Sequence, residues 1–203
     1  MLKKLMLLAI VLLVPIQATF AANLGTDPDL VIYYSFDEFT DVVMDQSTRG
    51  HNGTMEGDVT LDPEGMYNGA ARFANGAYLD LDGPSIPPED IPTSAITLAA
   101  WAKCENTGNH HAIFNARAGD STWLVHPELR SGGNFRWLLR SAGGTTMFDI
   151  GAGTVTWDEW LHYAGTYDKA VSRGTLYING VVVQSANVTA GAEIAGDWGQ
   201  GAR

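Results

Sequence analysis

The amino-acid sequence predicts an all-β fold, arranged as a two-sheet antiparallel sandwich. After the first 21 residues, no segment repeats apolar side chains at the spacing of an amphipathic helix. Short runs rich in Val, Ile, Tyr, Phe, Trp and Thr recur instead, separated by clusters of Gly, Asn and Asp. The chain contains 23 glycines. Frequent turns between many short strands favour a sandwich over other all-β architectures.

The predicted strands follow one another along the chain with short connections. They cover residues 30–36, 70–73, 78–81, 96–102, 112–115, 122–125, 135–140, 145–150, 160–167, 175–178 and 181–184. In the third run, alternation directs Leu79 and Leu81 to one face and Asp80 and Asp82 to the other.

One turn can be predicted in detail. Residues 175–178 and 181–184 flank Asn179-Gly180, the dipeptide that best accepts the two positive φ angles of a type I′ turn. We therefore expect a two-residue β-hairpin there. No low-complexity linker or internal repeat interrupts the chain, which indicates one domain and not a tandem array.

The amino terminus predicts a signal peptide over residues 1–21 and a mature domain over residues 22–203. Lys3 and Lys4 precede an apolar run that stops at Pro15, and small residues end at Ala21, where cleavage is expected. A membrane anchor is the alternative, but the run is shorter than the ~20 residues that cross a bilayer. We expect an exported protein, whether secreted, periplasmic or held at the cell surface.

Charge and cysteine content restrict the function further. The chain has 23 acidic against 12 basic residues, a formal net charge of −11, which disfavours nucleic acid as a partner. Such acidity fits a solubilising surface or oxygen ligands for calcium. Cys104 is the single cysteine, so no internal disulfide can stabilise the fold.

Six segments in order carry a resemblance to a known family. They are residues 33–38, 45–54, 69–81, 96–101, 160–168 and 176–180. Together they resemble the laminin-G-like, concanavalin A-like lectin/glucanase jelly-roll domains of exported bacterial proteins. The resemblance implies a jelly-roll sandwich, in which we expect Trp101, Trp160 and Tyr177 to fill the core.

The carboxyl end departs from this family. The family closes with a strand pair that carries an Ile-Asp-Glu-Val-type segment, and residues 198–203 match nothing of that kind. We therefore expect the domain to be truncated, without its closing strands. The edge of the first strand would then be unpaired.

Calcium is the metal that the resemblance implies, because related jelly rolls hold it with carboxylate and backbone oxygens. It implies Asp37 and the Asn75-Gly76 loop as ligands. Asp80 and Asp82, on one face of their strand, are the alternative from the residues themselves. Each could equally be a surface carboxylate or a turn former. Adjacent His110 and His111 favour no zinc site, because neighbours in a strand point to opposite faces.

Sugar recognition needs an exposed aromatic ring beside planar hydrogen-bonding side chains. The candidates are Trp123, His126, Arg136 and Arg140, with Trp137 on the opposite face of its strand. Each could instead be a core ring or a solvated charge.

The sequence contains none of the catalytic motifs expected for enzymes of this shape. Hydrolases of this shape resemble one another in a strand spelling Glu-x-Asp-x-x-Glu, which is absent here, as are a Gly-x-Ser-x-Gly elbow and a phosphate-binding glycine loop. The sequence therefore predicts a non-catalytic extracellular binding or adhesion module whose ligand is carbohydrate or protein. A partial or degenerate glycoside hydrolase domain of the same fold is the alternative.

Overall fold

Short antiparallel strands with tight connections run through the computed structural model, which describes residues 25–81, 86–119, 122–198 and 201–203. The predicted signal peptide lies outside the described residues. The strands are β1 (Val42–Val43), β2 (Gly53–Glu56), β3 (Val59–Asp62), β4 (Ala70–Phe73), β5 (Tyr78–Asp80), β6 (Ala95–Ala102), β7 (His111–Ala112), β8 (Ala116–Gly119), β9 (Thr122–Arg130), β10 (Asn134–Arg140), β11 (Thr146–Ala152), β12 (Leu161–Asp168), β13 (Arg173–Ile178) and β14 (Val181–Asn187). Two 3₁₀ turns, Pro88–Asp90 and Ala142–Gly144, add short helical segments. Within the described ranges, no helix has the length and apolar character to cross a membrane.

Two larger sheets pack face to face. One has four strands in the order β14-β13-β12-β6, and the other has the order β11-β10-β9-β7, with β8 also paired to β9. A three-stranded sheet β1-β2-β5 and the β3–β4 hairpin complete the described strands. Every described strand pair is antiparallel. The predicted all-β antiparallel sandwich is therefore confirmed.

The core lies between the two larger sheets. Trp137 of β10 is fully buried and covers Gly165 of β12, where an added Cβ would lie 1.9 Å from the indole ring. Phe135 meets Tyr163 with ring centroids 5.1 Å apart. Large rings of one sheet thus fill the space that a glycine leaves in the other.

The prediction that Trp101 fills the core is wrong. β12 alternates strictly, with Leu161, Tyr163, Gly165 and Tyr167 buried. Trp101 pairs with His162, which points outward between Leu161 and Tyr163. Trp101 is 37% exposed. Trp160 and Tyr177 are only half-buried, so they are not central core rings either.

The predicted strand at residues 30–36 is also absent from the described strands. Side chains of the following loop take up its backbone groups: Asp45 Oδ1 accepts the N–H of Tyr33 at 2.8 Å, and Ser47 Oγ donates to the carbonyl of Val31 at 3.0 Å. Phe36 then adopts a positive φ of 58°. The segment is therefore held by loop contacts in place of a strand ladder.

Of the strand predicted at residues 112–115, only Ala112 lies in a described strand, β7. Asn115 instead exchanges both backbone hydrogen bonds with Arg203. The N–H of Leu81 also donates to the carbonyl of Ala202 at 2.9 Å. Residues 201–203 thus lie between β8 and the end of β5. The expected lack of closing strands stays a prediction.

The Asn179-Gly180 hairpin is confirmed. Asn179 has φ 50° and Gly180 has φ 76°, and they join β13 to β14, which pair antiparallel. Both angles match the type I′ turn that the dipeptide favours.

Candidate functional site

A cleft with aromatic walls opens on the outer face of the four-stranded sheet. It has a volume of about 510 Å³ and is lined by Met66, Trp101, Trp160, His162 and Asn179. We call it the aromatic cleft. Strand alternation builds its floor, because Trp101 of β6 and His162 of β12 are cross-strand partners on the face that points away from the core.

Trp101 contacts two neighbouring rings edge to face, one of them in the lining of the aromatic cleft and one just outside it. The Trp101 and His162 ring centroids are 5.2 Å apart, and those of Trp101 and Tyr67 are 5.9 Å apart. Tyr67 comes from the loop between β3 and β4 and is largely exposed. Such T-shaped contacts hold the indole in place, and part of it remains open to solvent.

Polar groups stand beside these rings. Asn179 Oδ1 accepts the N–H of His162 at 2.9 Å, which fixes the side-chain amide at the rim. Lys103 Nζ lies 5.4 Å from the centroid of the Trp160 ring. No Asp or Glu is among the lining residues. The cleft can therefore stack on a flat apolar surface and hydrogen-bond its polar edge without supplying a carboxylate.

The outer face of the five-stranded sheet carries a different arrangement, a group of ion pairs around Glu128. Glu128 is buried on β9, and its carboxylate contacts His126 Nε2 at 3.0 Å, Arg130 Nε at 2.8 Å and Arg136 at 2.8 Å. Arg136 also holds Asp149 of β11 through two hydrogen bonds of 2.6 Å. We call these five residues the charge network.

The charge network holds both its carboxylates in the ionised form. Burial by itself would raise the pKa of Glu128, but hydrogen bonds from His126 and Arg136, with the charges of His126 and Arg130, lower it to about 2. The hydrogen bond from Arg136 also lowers the pKa of Asp149. Neither carboxyl group is therefore a source of protons near neutral pH.

The predicted sugar ligands divide between this network and its neighbourhood. Arg136 and His126 are engaged with carboxylates, and His126 is buried. Trp123 is 38% exposed and stacks on His126 with centroids 4.6 Å apart. Arg140 donates to the carbonyl of Trp123 at 2.8 Å. Trp137 lies on the core side, as its strand position predicted.

The predicted calcium ligands occupy the loop after residue 36, the β4–β5 turn and β5. Asp37 Oδ1 accepts the N–H of Gly69 at 3.3 Å, Asn75 and Gly76 form the turn, and Asp80 ends β5. Asp82 lies outside the described residues. Within the part of the chain that the structure describes, no group of three His, Cys, Asp or Glu side chains could hold a metal. Calcium stays a prediction, tested by whether it raises the melting temperature.

The aromatic cleft was missed at the level of sequence. Trp101 and His162 are far apart in the chain, and only the register of β6 on β12 brings them together. Met66 and Tyr67 lie in a loop with no motif of their own. The alternation of β12 could have predicted part of the cleft, because it places His162 on the outer face when Tyr163 and Tyr167 face the core.

Comparison with known proteins defines the class. The described strands form an antiparallel β-sandwich with a cleft on one sheet, and the family model of the concanavalin A-like lectin/glucanases superfamily matches residues 74–200. The chain therefore belongs to this superfamily. No curated protein matches the chain.

Several solved structures are similar to the chain at low sequence identity. The botulinum neurotoxin serotype D binding domain is 17% identical with a TM-score of 0.48, covering 72% of this chain and 36% of its own. The CBM40 of the Ruminococcus gnavus IT-sialidase, bound to α2,3-sialyllactose, is 12% identical with a TM-score of 0.39, covering 51% of this chain and 63% of its own. The chain thus spans less than two thirds of either. Similarities at this level do not identify a ligand.

Proposed function

We propose that this chain is a non-catalytic carbohydrate-binding module whose aromatic cleft binds a neutral sugar chain. The observation that carries the proposal is the outward, 37% exposed Trp101 ring at the floor of that cleft. A pyranose ring presents an apolar face that stacks on an indole, and hydroxyl groups at its rim that pair with amide and imidazole groups. Asn179 and His162 stand where such groups are needed.

The same cleft favours binding over hydrolysis. Glycosidases place two carboxyl groups across the scissile bond, and one of them needs a raised pKa to act as the acid. Among the described residues that line the aromatic cleft there is no Asp or Glu. Glu128 and Asp149, on the other sheet, are both held by Arg136 and have lowered pKa values. Neither the described lining of the aromatic cleft nor the charge network therefore offers the partial-hydrolase alternative such an acid.

Export is part of the proposal and is supported by the sequence. Lys3 and Lys4, the following apolar run and the small residues before Ala22 have the arrangement that signal peptidase recognises. A module that binds sugar outside the cell would hold its host protein on a polysaccharide surface. Sequencing the amino terminus of exported protein should give Ala22 as the first residue.

The binding test uses a panel of neutral oligosaccharides: cellohexaose, xylohexaose, mannohexaose and chitohexaose. We expect at least one to bind, and Trp101→Ala to weaken that binding at least about tenfold, as for a buried aromatic anchor. Isothermal titration calorimetry gives both affinities. Because Trp101 is partly exposed, the variant should keep a melting temperature close to that of the parent.

The matched control is Trp123→Ala, which removes a 38% exposed indole from the opposite sheet and should lower neutral-sugar affinity far less than Trp101→Ala does. Failure of all four sugars to bind would overturn the proposal in favour of a protein ligand. So would equal effects of the two tryptophan substitutions, because the cleft would then have no special role.

A further inference from the structure

Arg117 is a buried cation without a visible counter-charge. It is 8% exposed, and its Nε is enclosed with no hydrogen-bond partner. Among the described residues, no carboxylate lies within ion-pair distance of it. A guanidinium keeps its charge even when buried, and an unpaired buried charge destabilises a fold. Arg117 therefore needs an explanation other than stability.

The strand register places Arg117 beside an exposed ring. In the β8–β9 pair, Arg117 lies opposite Trp123, whereas Ala116 belongs to the core. The register shifts on either side of this pair, and the backbone pairing places Arg117 next to Trp123. Trp123 in turn stacks on His126, so its indole lies over the outer face of the five-stranded sheet.

The guanidinium of Arg140 contacts the backbone of the same tryptophan. Arg140 donates from its Nη1 to the carbonyl of Trp123 at 2.8 Å and from its Nε to Thr146 Oγ1 at 3.5 Å. It has no carboxylate partner in the described ranges. Arg130 and Arg136, on the same face, are paired with the two carboxylates of Glu128 and Asp149. Two arginines without a described carboxylate partner therefore adjoin Trp123, Arg117 through strand pairing and Arg140 through its hydrogen bond, in a chain whose net charge is −11.

We propose that Arg117, Trp123 and Arg140 form a second site, which binds a sugar that carries a carboxylate. A guanidinium matches a carboxylate with two parallel hydrogen bonds. The exposed indole supplies the surface for the sugar ring that bears it. The bound carboxylate would provide the counter-charge that Arg117 lacks. The site is separate from the aromatic cleft and does not depend on it.

The test compares trigalacturonic acid with its fully methyl-esterified form, which has the same rings and no charge. We expect the intact protein to bind the acid at least about tenfold more tightly than the ester, as for a charge-assisted hydrogen bond. Arg117→Gln should abolish this difference. Its melting temperature should equal or exceed that of the parent, because an unpaired buried charge is removed.

Arg173→Gln is the matched control, because it removes the same charge from β13, where Arg173 is hydrogen-bonded to Ser185. It should bind trigalacturonic acid like the parent. Arg140→Gln tests the same site at a partly exposed position, where folding is not at risk, and should weaken acid binding several-fold.

Three results would overturn the proposal. One is equal affinity of the intact protein for acid and ester, which includes no binding of either. Another is acid binding that survives both Arg117→Gln and Arg140→Gln. The last is an equal loss of affinity for the acid in Arg173→Gln, which would mean that binding depends only on the net charge of the protein. Each can occur whether or not neutral sugars bind in the aromatic cleft, so the two proposals fail separately.

Discussion

The outer faces of the two larger sheets differ in what their outward side chains contact. On the four-stranded sheet, outward residues such as Trp101 and His162 contact other rings and stay open to solvent. On the five-stranded sheet, the outward His126, Glu128 and Leu138 are buried to within a few per cent. The same strand alternation thus gives one face with rings open to solvent and one held together by charge. A charged residue on an outward position is therefore not by itself a ligand-binding residue.

The largest effect that this comparison predicts is the loss of Glu128. Glu128→Gln leaves His126, Arg130 and Arg136 without their shared carboxylate in a buried setting. We expect the free energy of unfolding to fall by about 3 kcal/mol or more, as when one partner of a buried ion pair is removed. Urea unfolding measures it.

Glu105→Gln is the control with the same chemistry at an exposed position. Glu105 pairs with Arg72 at 2.9 Å, with both side chains 66% exposed, and its loss should cost less than about 1 kcal/mol. Neutral-sugar affinity should be unchanged in both variants. If Glu128→Gln unfolds no more easily than Glu105→Gln, the charge network is not structural and the comparison fails.

A smaller effect is expected from pH. Because the pKa of Glu128 is lowered from 4.5 to about 2 on folding, its ion pairs stabilise the fold above pH 4.5 and lose that effect as the pH falls towards 2. The stabilisation lost over this range is about 3 kcal/mol at most. Asp45 and Asp149, whose pKa values are also lowered, add to the same trend.

Unfolding free energies between pH 2 and pH 6 check this prediction. The parent should lose stability steadily as the pH falls, and Glu128→Gln should lose distinctly less over the same interval. Parallel curves for the two proteins would mean that Glu128 has the same pKa in the folded and unfolded states.

Local chemistry explains which parts of the fold the sequence could predict. β4 and the Asn179-Gly180 hairpin depend on alternation and turn residues that are adjacent in the chain, and both were correct. The strand expected at residues 30–36 failed because Asp45 and Ser47 bond its backbone. No propensity of the segment itself encodes that contact.

The candidate sites were harder to predict because both depend on register between strands. Trp101 was expected in the core because a large ring in a strand is usually buried. It pairs with His162, an outward residue of β12, and therefore points outward as well. Arg136 was expected to bind sugar, but Glu128 and Asp149 lie beside it on neighbouring strands. Only Trp123 and Arg140 keep the exposure that their predicted role requires.

The central claim, that neutral sugar binds in the aromatic cleft, can be tested most directly from the indole N–H signals of the six tryptophans. In ¹⁵N-labelled protein, assigned by single substitution, the tightest neutral oligosaccharide of the panel should shift the Trp101 and Trp160 signals. The signals of Trp123 and the buried Trp137 should stay in place. A shift confined to Trp123, or saturation of binding with the Trp101 signal unmoved, would contradict the account.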